Sequence, residues 1–427
     1  MAQLGSAARR RIAVVGSGVA GLTAAYVLQG GADVTLYEAD DRLGGHAHTH
    51  DVTDADGRHQ AVDSGFIVHN DRTYPWLRRL FDELGVEVRP TEMSMSVRCD
   101  GCGLEYAGGR GLRGLFAQPR RVFDPKFVRM LVQVERFHRR ALNFLRTTDD
   151  ADETTYGDFL RREGFNDHFI AHYAVPVVSC VWSTGGARAV EYPARYLFRF
   201  LDHHGMLRIK GSPQWFTVVG GSRTYVERLT AHLSDVRAGH AVADLIRIGG
   251  GVQVRDVTGQ VSCYDRVVVA THADQALRML VNPTDDEVTT LKQFEYSSNV
   301  TVLHTDDAVL PEAPGARASW NYRMASCDGQ DRPTVVTYWM NRLQGLQSAQ
   351  EFLVTLNDED RITPGSVRAV MGYEHPIYTV ESVRAQARLA SLATDRTAYA
   401  GAHHGWGFHE DGCRSGVEAA RHFGVDW

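Results

Sequence analysis

The chain has 427 residues, enough for two or three domains at about 150 residues each. Hydrophobic residues make up 43% and charged residues 23%, the balance of a soluble globular protein, which excludes a disordered or fibrous chain. A net charge of −6 argues against a nucleic-acid partner, and six cysteines are too few for a disulfide scaffold, so a reducing, cytoplasmic compartment is expected. The longest apolar run, near Ala174–Trp182, is far too short to span a bilayer. The basic N-terminus MAQLGSAARRR runs straight into an apolar strand without a hydrophobic stretch of its own, so no signal peptide is expected.

Ile12–Val15 reads as a buried strand, followed by Gly16-Ser17-Gly18-Val19-Ala20-Gly21 and a helix over Leu22–Gln29 that stops at Gly30-Gly31. A second strand, Asp33–Tyr37, ends at Glu38, 22 residues after the first glycine. This order of strand, glycine turn, helix, strand and acid is a dinucleotide-binding fingerprint. Gly16 permits the tight turn, Gly18 lets the backbone approach a pyrophosphate, and Gly21 lets helix and strand pack. The helix N-terminus offers N–H groups to the phosphates, and Glu38 can accept both ribose hydroxyls, which disfavours a 2′-phosphate and hence NADP.

After Glu38 the chain reads Ala39-Asp40-Asp41-Arg42-Leu43-Gly44-Gly45-His46. Here it resembles the superfamily of flavin-dependent amine oxidases, protoporphyrinogen oxidase and phytoene desaturase, whose fingerprint continues E-x-x-x-R-x-G-G-R. Glu38, Arg42, Gly44 and Gly45 match, and His46 replaces the usual arginine. The resemblance recurs at Val62-Asp63-Ser64-Gly65-Phe66, at Val218-Val219-Gly220-Gly221-Ser222, at the strands Ala241–Ile248 and Val252–Val257, at Asp265–Thr271 with a helix over Ala273–Leu280, and at the C-terminal block GWGFHEDGCRSG before a helix over Val417–His422. That last block resembles bacterial NAD/FAD-binding oxidoreductases similar to the N-terminal domain of plant cyclopropane fatty acid synthases.

The resemblance implies an α/β fold: a Rossmann-like FAD-binding domain, discontinuous over 9–66, 216–292 and 396–427, and a substrate domain of mixed sheet plus helices over 67–215 and 293–395. Val300–Leu303, Ala318–Tyr322 and Thr334–Met340 have strand character. It implies FAD contacts from Gly16, Ser17, Gly18, Ala20, Gly21, Glu38, Ala39, Arg42, Gly44, Gly45, His46, Gly65, Val242, Glu410, Asp411 and Gly412. The family's thioether cysteine falls earlier than Cys413, so FAD is expected to be noncovalent. His404, Trp406 and His409 are expected beside the flavin ring, with ordinary packing as the alternative. The implied activity is hydride removal from a C–H bond of a hydrophobic, lipid or fatty-acyl substrate. The alternatives are double-bond isomerisation without net redox change, or a noncatalytic flavin-binding partner of a lipid-modifying enzyme.

Four further features allow two readings each. Cys99-Asp100-Gly101-Cys102 reads as a hairpin tip. A metal or redox pair is the alternative, but Cys180, Cys263, Cys327 and Cys413 stand singly, so no metal site is expected. Lys210 lies outside the family's lysine motif and reads as a surface residue. His168–Tyr173 and Val175–Trp182 suit either core or a greasy pocket. Residues 110–146 carry ten basic and two acidic side chains, with an apolar stripe at Phe127, Met130, Leu131, Val134, Phe137, Leu142 and Leu145. This segment is either a solvated face or a peripheral contact with the anionic inner face of the membrane.

Overall fold

The computed structural model describes residues 9–208, 211–328 and 333–427. Residues 1–8 and Lys210 lie outside these. The apolar run at the start forms a strand over Arg10–Val15, buried from Ile12 onward, which becomes the centre of a five-stranded parallel sheet. Ala32–Tyr37 and then Asp235–Arg237 lie on one side, and Arg266–Val269 and then Thr397–Tyr399 on the other. Strands buried on both faces read as continuous β-branched runs, which is why Val267–Val269 and Ile12–Val15 lack alternation.

The helix Val19–Leu28 is buried on nearly every side, so its sequence is apolar all round rather than striped. It crosses the C-terminal helix His409–His422, which begins eight residues before the expected Val417. A small antiparallel sheet of Val242–Ile248, Gly251–Asp256 and Val261–Tyr264 packs beside the parallel one.

A separate seven-stranded mixed sheet runs in the order Val367–Ile377, Glu295–His304, Leu353–Leu356, Val335–Trp339, Trp320–Met324, Met95–Cys99, Leu104–Gly108. All its pairings are antiparallel except Trp320–Met324 with Met95–Cys99. Helices Pro125–Thr147, Tyr156–Arg162, Val175–Trp182 and Ala194–His203 build an aromatic core at its end, around Phe137, Phe159 and Phe198.

The apolar stripe of residues 110–146, read from the sequence as lying on a solvated or a lipid-facing surface, is on neither. Phe127, Met130 and Phe137 are fully buried in that core, and Leu131, Val134, Leu142 and Leu145 pack against it. A helix in this position uses its apolar face to close its own domain and has none of that stripe left for lipid. No helix among the described residues is long and apolar enough to cross a membrane.

Candidate active site

The glycine turn sits where the first strand hands over to the first helix. Gly16 has φ +99°, and a Cβ there would lie 2.9 Å from the Ala270 carbonyl oxygen. A Cβ on Gly21 would come within 1.8 Å of the Gly16 carbonyl oxygen, so only glycine lets the helix pack this closely. Gly18 differs: a Cβ there meets no protein atom within 4 Å. The helix is capped by Gly18 with no side-chain partner and no acid in its first turn, so its leading N–H groups are free for an anion.

Glu38 is held at the end of the second strand. Its Oε2 accepts from the Ser17 backbone N–H at 2.7 Å and from Ser17 Oγ at 2.6 Å, and its Oε1 accepts from the Asp40 N–H at 3.0 Å. The carboxylate is thereby aimed: of its about four lone-pair sites these bonds leave one free, on Oε1, and the Ser17 hydroxyl opens a second when it rotates away.

A cavity of about 1470 Å³ begins at this turn. Gly16, Ser17, Gly18, Ala20, Glu38, Ala39, Gly45, His46, Gly65, Val242 and His409 line it. The other expected contacts do not face it with their side chains, and each has a local reason. Arg42 donates to the carbonyls of Leu43, Gly45 and Ala47 and ties its own loop. Gly21 and Gly44 sit behind the turn, where Gly44 N–H donates to Ser17 Oγ at 3.1 Å. Glu410 accepts from the N–H groups of Trp76 and Leu77, both at 3.0 Å, and so caps the helix Pro75–Glu83. Asp411 caps its own helix through the Phe408 N–H at 3.1 Å. Gly412 is a close-approach glycine: a Cβ would meet Val19 Cγ1 at 2.6 Å.

Of the expected ring-side residues, His409 lines the cavity, stacked on Phe66 with ring centroids 3.7 Å apart. His404 and Trp406 turn away, and His403 and Phe408 take their places at the wall. Sequence reasoning missed His272 and His375, which line the cavity beside His46, the His375 ring lying 5.3 Å from it. Their only signal was residue type, because nothing in the local pattern brings positions 46, 272 and 375 together.

The electrostatics of this wall follow from burial. Desolvation pushes His409 down to about 3 and His375 to about 4, and holds His46 well below the usual imidazole value, reinforced by the neighbouring histidines. All three are neutral at pH 7. His46 Nε2 and His409 Nε2 are buried without a protein partner, which leaves polar atoms at the wall for a polar ligand. Behind the wall, Asp63 joins three segments by accepting from Thr49, Ser222 and Gln344, and burial pushes its carboxyl up to about 6.

The chain matches the model of the family described as flavin containing amine oxidoreductase over residues 19–422. It belongs to that family. Solved structures with the same fold include cyclohexylamine oxidase from Brevibacterium oxydans IH-35A, with a TM-score of 0.67 and 15% identity over 97% of this chain and 98% of the other. Putrescine oxidase bound to putrescine has a TM-score of 0.65 and 16% identity over 96% and 98%. The CLA-producing fatty acid isomerase from P. acnes has a TM-score of 0.64 and 17% identity over 97% and 99%. No curated protein sequence matches.

As a flavin-containing amine oxidoreductase, the chain is a flavin-dependent oxidoreductase. The residues present fit the cofactor. The open space over Gly18, the uncapped helix end and the unpartnered imidazole nitrogens form a cradle for a large ligand that is anionic at one end and polar at the other.

Proposed function

We propose that this chain is an FAD-dependent oxidoreductase acting on a hydrophobic substrate, a lipid or fatty-acyl chain. The observation that carries the reading is the continuity of the cavity. From the glycine turn it extends past the histidine wall to a mainly apolar arm lined by Met95, Val97, Leu131, Val134, Val177 and Val181, with Glu135, His138 and Tyr173 also on the cavity wall. The volume exceeds the roughly 300–1,000 Å³ of an ordinary ligand pocket and leaves room for a second, apolar molecule. When bound, FAD would supply hydride acceptance from a substrate C–H bond.

The chain's own residues do the rest. Glu38 would accept the ribose hydroxyls, the N-terminus of Val19–Leu28 would hold the pyrophosphate, and the backbone at Val242 would take the adenine. Neutral His46, His375 and His409 add no positive charge to the wall, where Glu374 pairs with His272, and the mainly aliphatic arm would exclude water from the reacting carbon. Cys413 is buried in the core and does not line the cavity, which supports noncovalent binding. The five parallel strands all come from 9–66, 216–292 and 396–427, and the seven-stranded sheet comes wholly from 67–215 and 293–395, which supports assigning the first set to FAD and the second to substrate.

Double-bond isomerisation is the second reading, favoured by the structural likeness to a fatty acid isomerase. One experiment separates the two. Purified protein should release free FAD on heating, and should be mixed anaerobically with a lipid extract and followed by absorbance and mass. Bleaching that persists, with a product two hydrogens lighter, supports oxidation. An isomeric product with FAD oxidised again supports the second reading. A flavin that stays with the denatured chain overturns noncovalent binding, and no change in any lipid overturns the substrate class.

Membrane contact belongs to the same reading, through a different surface from the buried stripe. Leu112 is 73% exposed, Phe123 88% and Val132 63%. Among them stand exposed Arg113, Arg120, Lys126 and Arg129, and Gly111 and Leu115 beside Leu112 line the cavity. Other arginines of the segment are engaged: Arg121 with Asp124, Arg139 with Glu135, Arg140 with Glu163, and Arg136 with the Glu163 carbonyl. Each free basic side chain contributes up to about 1 kcal/mol at an anionic surface. The protein should sediment with anionic vesicles, not neutral ones, and less so in high salt. Phe123→Ser with Leu112→Ser should reduce that binding. Equal, negligible binding to both vesicle types would sink the membrane idea.

A further inference from the structure

The C-x-x-C pair forms the turn between strands Met95–Cys99 and Leu104–Gly108, as a hairpin tip should. Two more donor groups converge on it from distant parts of the chain. His172 comes from a π-helical turn, Ile170–Ala174, and Cys327 from the turn after strand Trp320–Met324. The ligand atoms of Cys99, Cys102, His172 and Cys327 all lie within 4.8 Å of one another. Cys327, which stands singly in the sequence, therefore does not stand singly in the fold.

Of the six donor–donor edges, two have the lengths of a metal tetrahedron and all lie under 4.8 Å, so binding an ion calls for side-chain shifts below about 1 Å. Cys99 Sγ and Cys327 Sγ are 3.8 Å apart, and Cys102 Sγ and His172 Nε2 are 3.5 Å apart. A tetrahedral zinc ion with Zn–S near 2.3 Å and Zn–N near 2.0–2.1 Å sets S–S edges of about 3.8 Å and S–N edges of about 3.5 Å. The surroundings hold the donors in place. His172 is 1% exposed, and its Nδ1 lies 3.0 Å from the His168 carbonyl oxygen. A carbonyl only accepts, so Nδ1 carries the proton and Nε2 presents its lone pair to the thiols, the usual arrangement behind a metal-bound imidazole. Tyr106 O–H donates to the His172 carbonyl at 2.8 Å, and the Asp100 N–H to the Met324 carbonyl at 2.9 Å. A Cβ on Gly101 would meet Ser326 Cα at 3.0 Å, so the glycine inside the C-x-x-C lets the two turns close on each other. Cys102 and Cys327 are exposed, which gives an ion a way in.

We propose that Cys99, Cys102, Cys327 and His172 bind one zinc ion. Three soft thiolates and one imidazole select zinc over harder cations, and four protein ligands leave no open position, so the site is structural. It pins the hairpin and the second turn to the chain that continues as helix Val175–Trp182, whose Val177 and Val181 line the apolar arm. None of the four residues lines the large cavity.

The test is elemental analysis of the flavin-bound protein purified in reducing buffer without added metal. The expected result is one zinc per chain, lost in Cys327→Ser while the flavin absorbance remains. Cobalt should replace zinc with tetrahedral ligand-field bands and a thiolate charge-transfer band, both absent from the variant. Chelation should lower the Tm of the wild type and leave that of Cys327→Ser unchanged. If Cys327→Ser does not fold, the cobalt spectrum of the wild type decides. Protein without zinc that gives no cobalt–thiolate spectrum, or a Cys99–Cys327 or Cys99–Cys102 disulfide in the reduced preparation, would overturn the site.

Discussion

Glu38→Ala should cost the protein about a hundredfold or more in FAD affinity. A carboxylate that accepts two ribose hydroxyls makes two charge-assisted hydrogen bonds, worth about 1.5–3 kcal/mol each before desolvation. The low end of their sum is roughly 3 kcal/mol, or about two decades in Kd. The same carboxylate also accepts from Ser17 N–H, Ser17 Oγ and Asp40 N–H, so alanine removes part of the turn's own scaffold. Glu38→Gln separates the two effects. Its amide oxygen can keep the Ser17 contacts, while the charge and the second acceptor are gone. The glutamine variant loses the Asp40 N–H bond but keeps both Ser17 contacts, so we expect the FAD-free protein to melt closer to the wild type than Glu38→Ala does and still to bind FAD weakly, as measured by occupancy at limiting FAD. Unchanged occupancy in both variants would mean that Glu38 is not the ribose acceptor.

Gly18→Ala and Gly21→Ala, three residues apart, should fail in opposite ways. At Gly18 the backbone has φ −62°, and an added methyl meets no protein atom within 4 Å. The fold loses only the preference for glycine over alanine at a helix N-cap, on the order of 1 kcal/mol. The methyl does occupy the space assigned to the pyrophosphate, and FAD affinity should fall by about tenfold or more, which corresponds to 1.4 kcal/mol or above. At Gly21 the methyl would sit 1.8 Å from the Gly16 carbonyl oxygen, so the helix must move off the sheet or the turn must break. Gly21→Ala should therefore have a lower Tm even without cofactor. Thermal melts of both FAD-free variants, with FAD titrations, check the pair. If Gly18→Ala binds FAD as tightly as the wild type, the pyrophosphate does not lie over Gly18.

The nucleotide end of this protein was legible in its sequence because main-chain groups build it. A phosphate held by consecutive N–H groups needs contiguous residues, so strand, Gly16, Gly18, Gly21, helix and Glu38 appear in order within thirty residues and keep that order in the fold. The strands of the larger sheet were legible for a similar reason, since β-branched and aromatic runs such as Val335–Trp339 carry their preference locally. What a side chain points at is not local. Glu410 was expected at the cofactor, yet its carboxylate caps a helix at Trp76 and Leu77, on the far side of the chain in sequence. The apolar stripe of residues 110–146 has the periodicity of a lipid-facing helix, but that pattern is the same for a helix that faces a protein core, and only the packing around Phe137 distinguishes them. His46, His272 and His375, and likewise Cys99, His172 and Cys327, meet only because separate strands and turns deliver them to one place. Tertiary structure decides such groupings, because the energy that brings the residues together comes from burying the elements that carry them and not from the residues themselves.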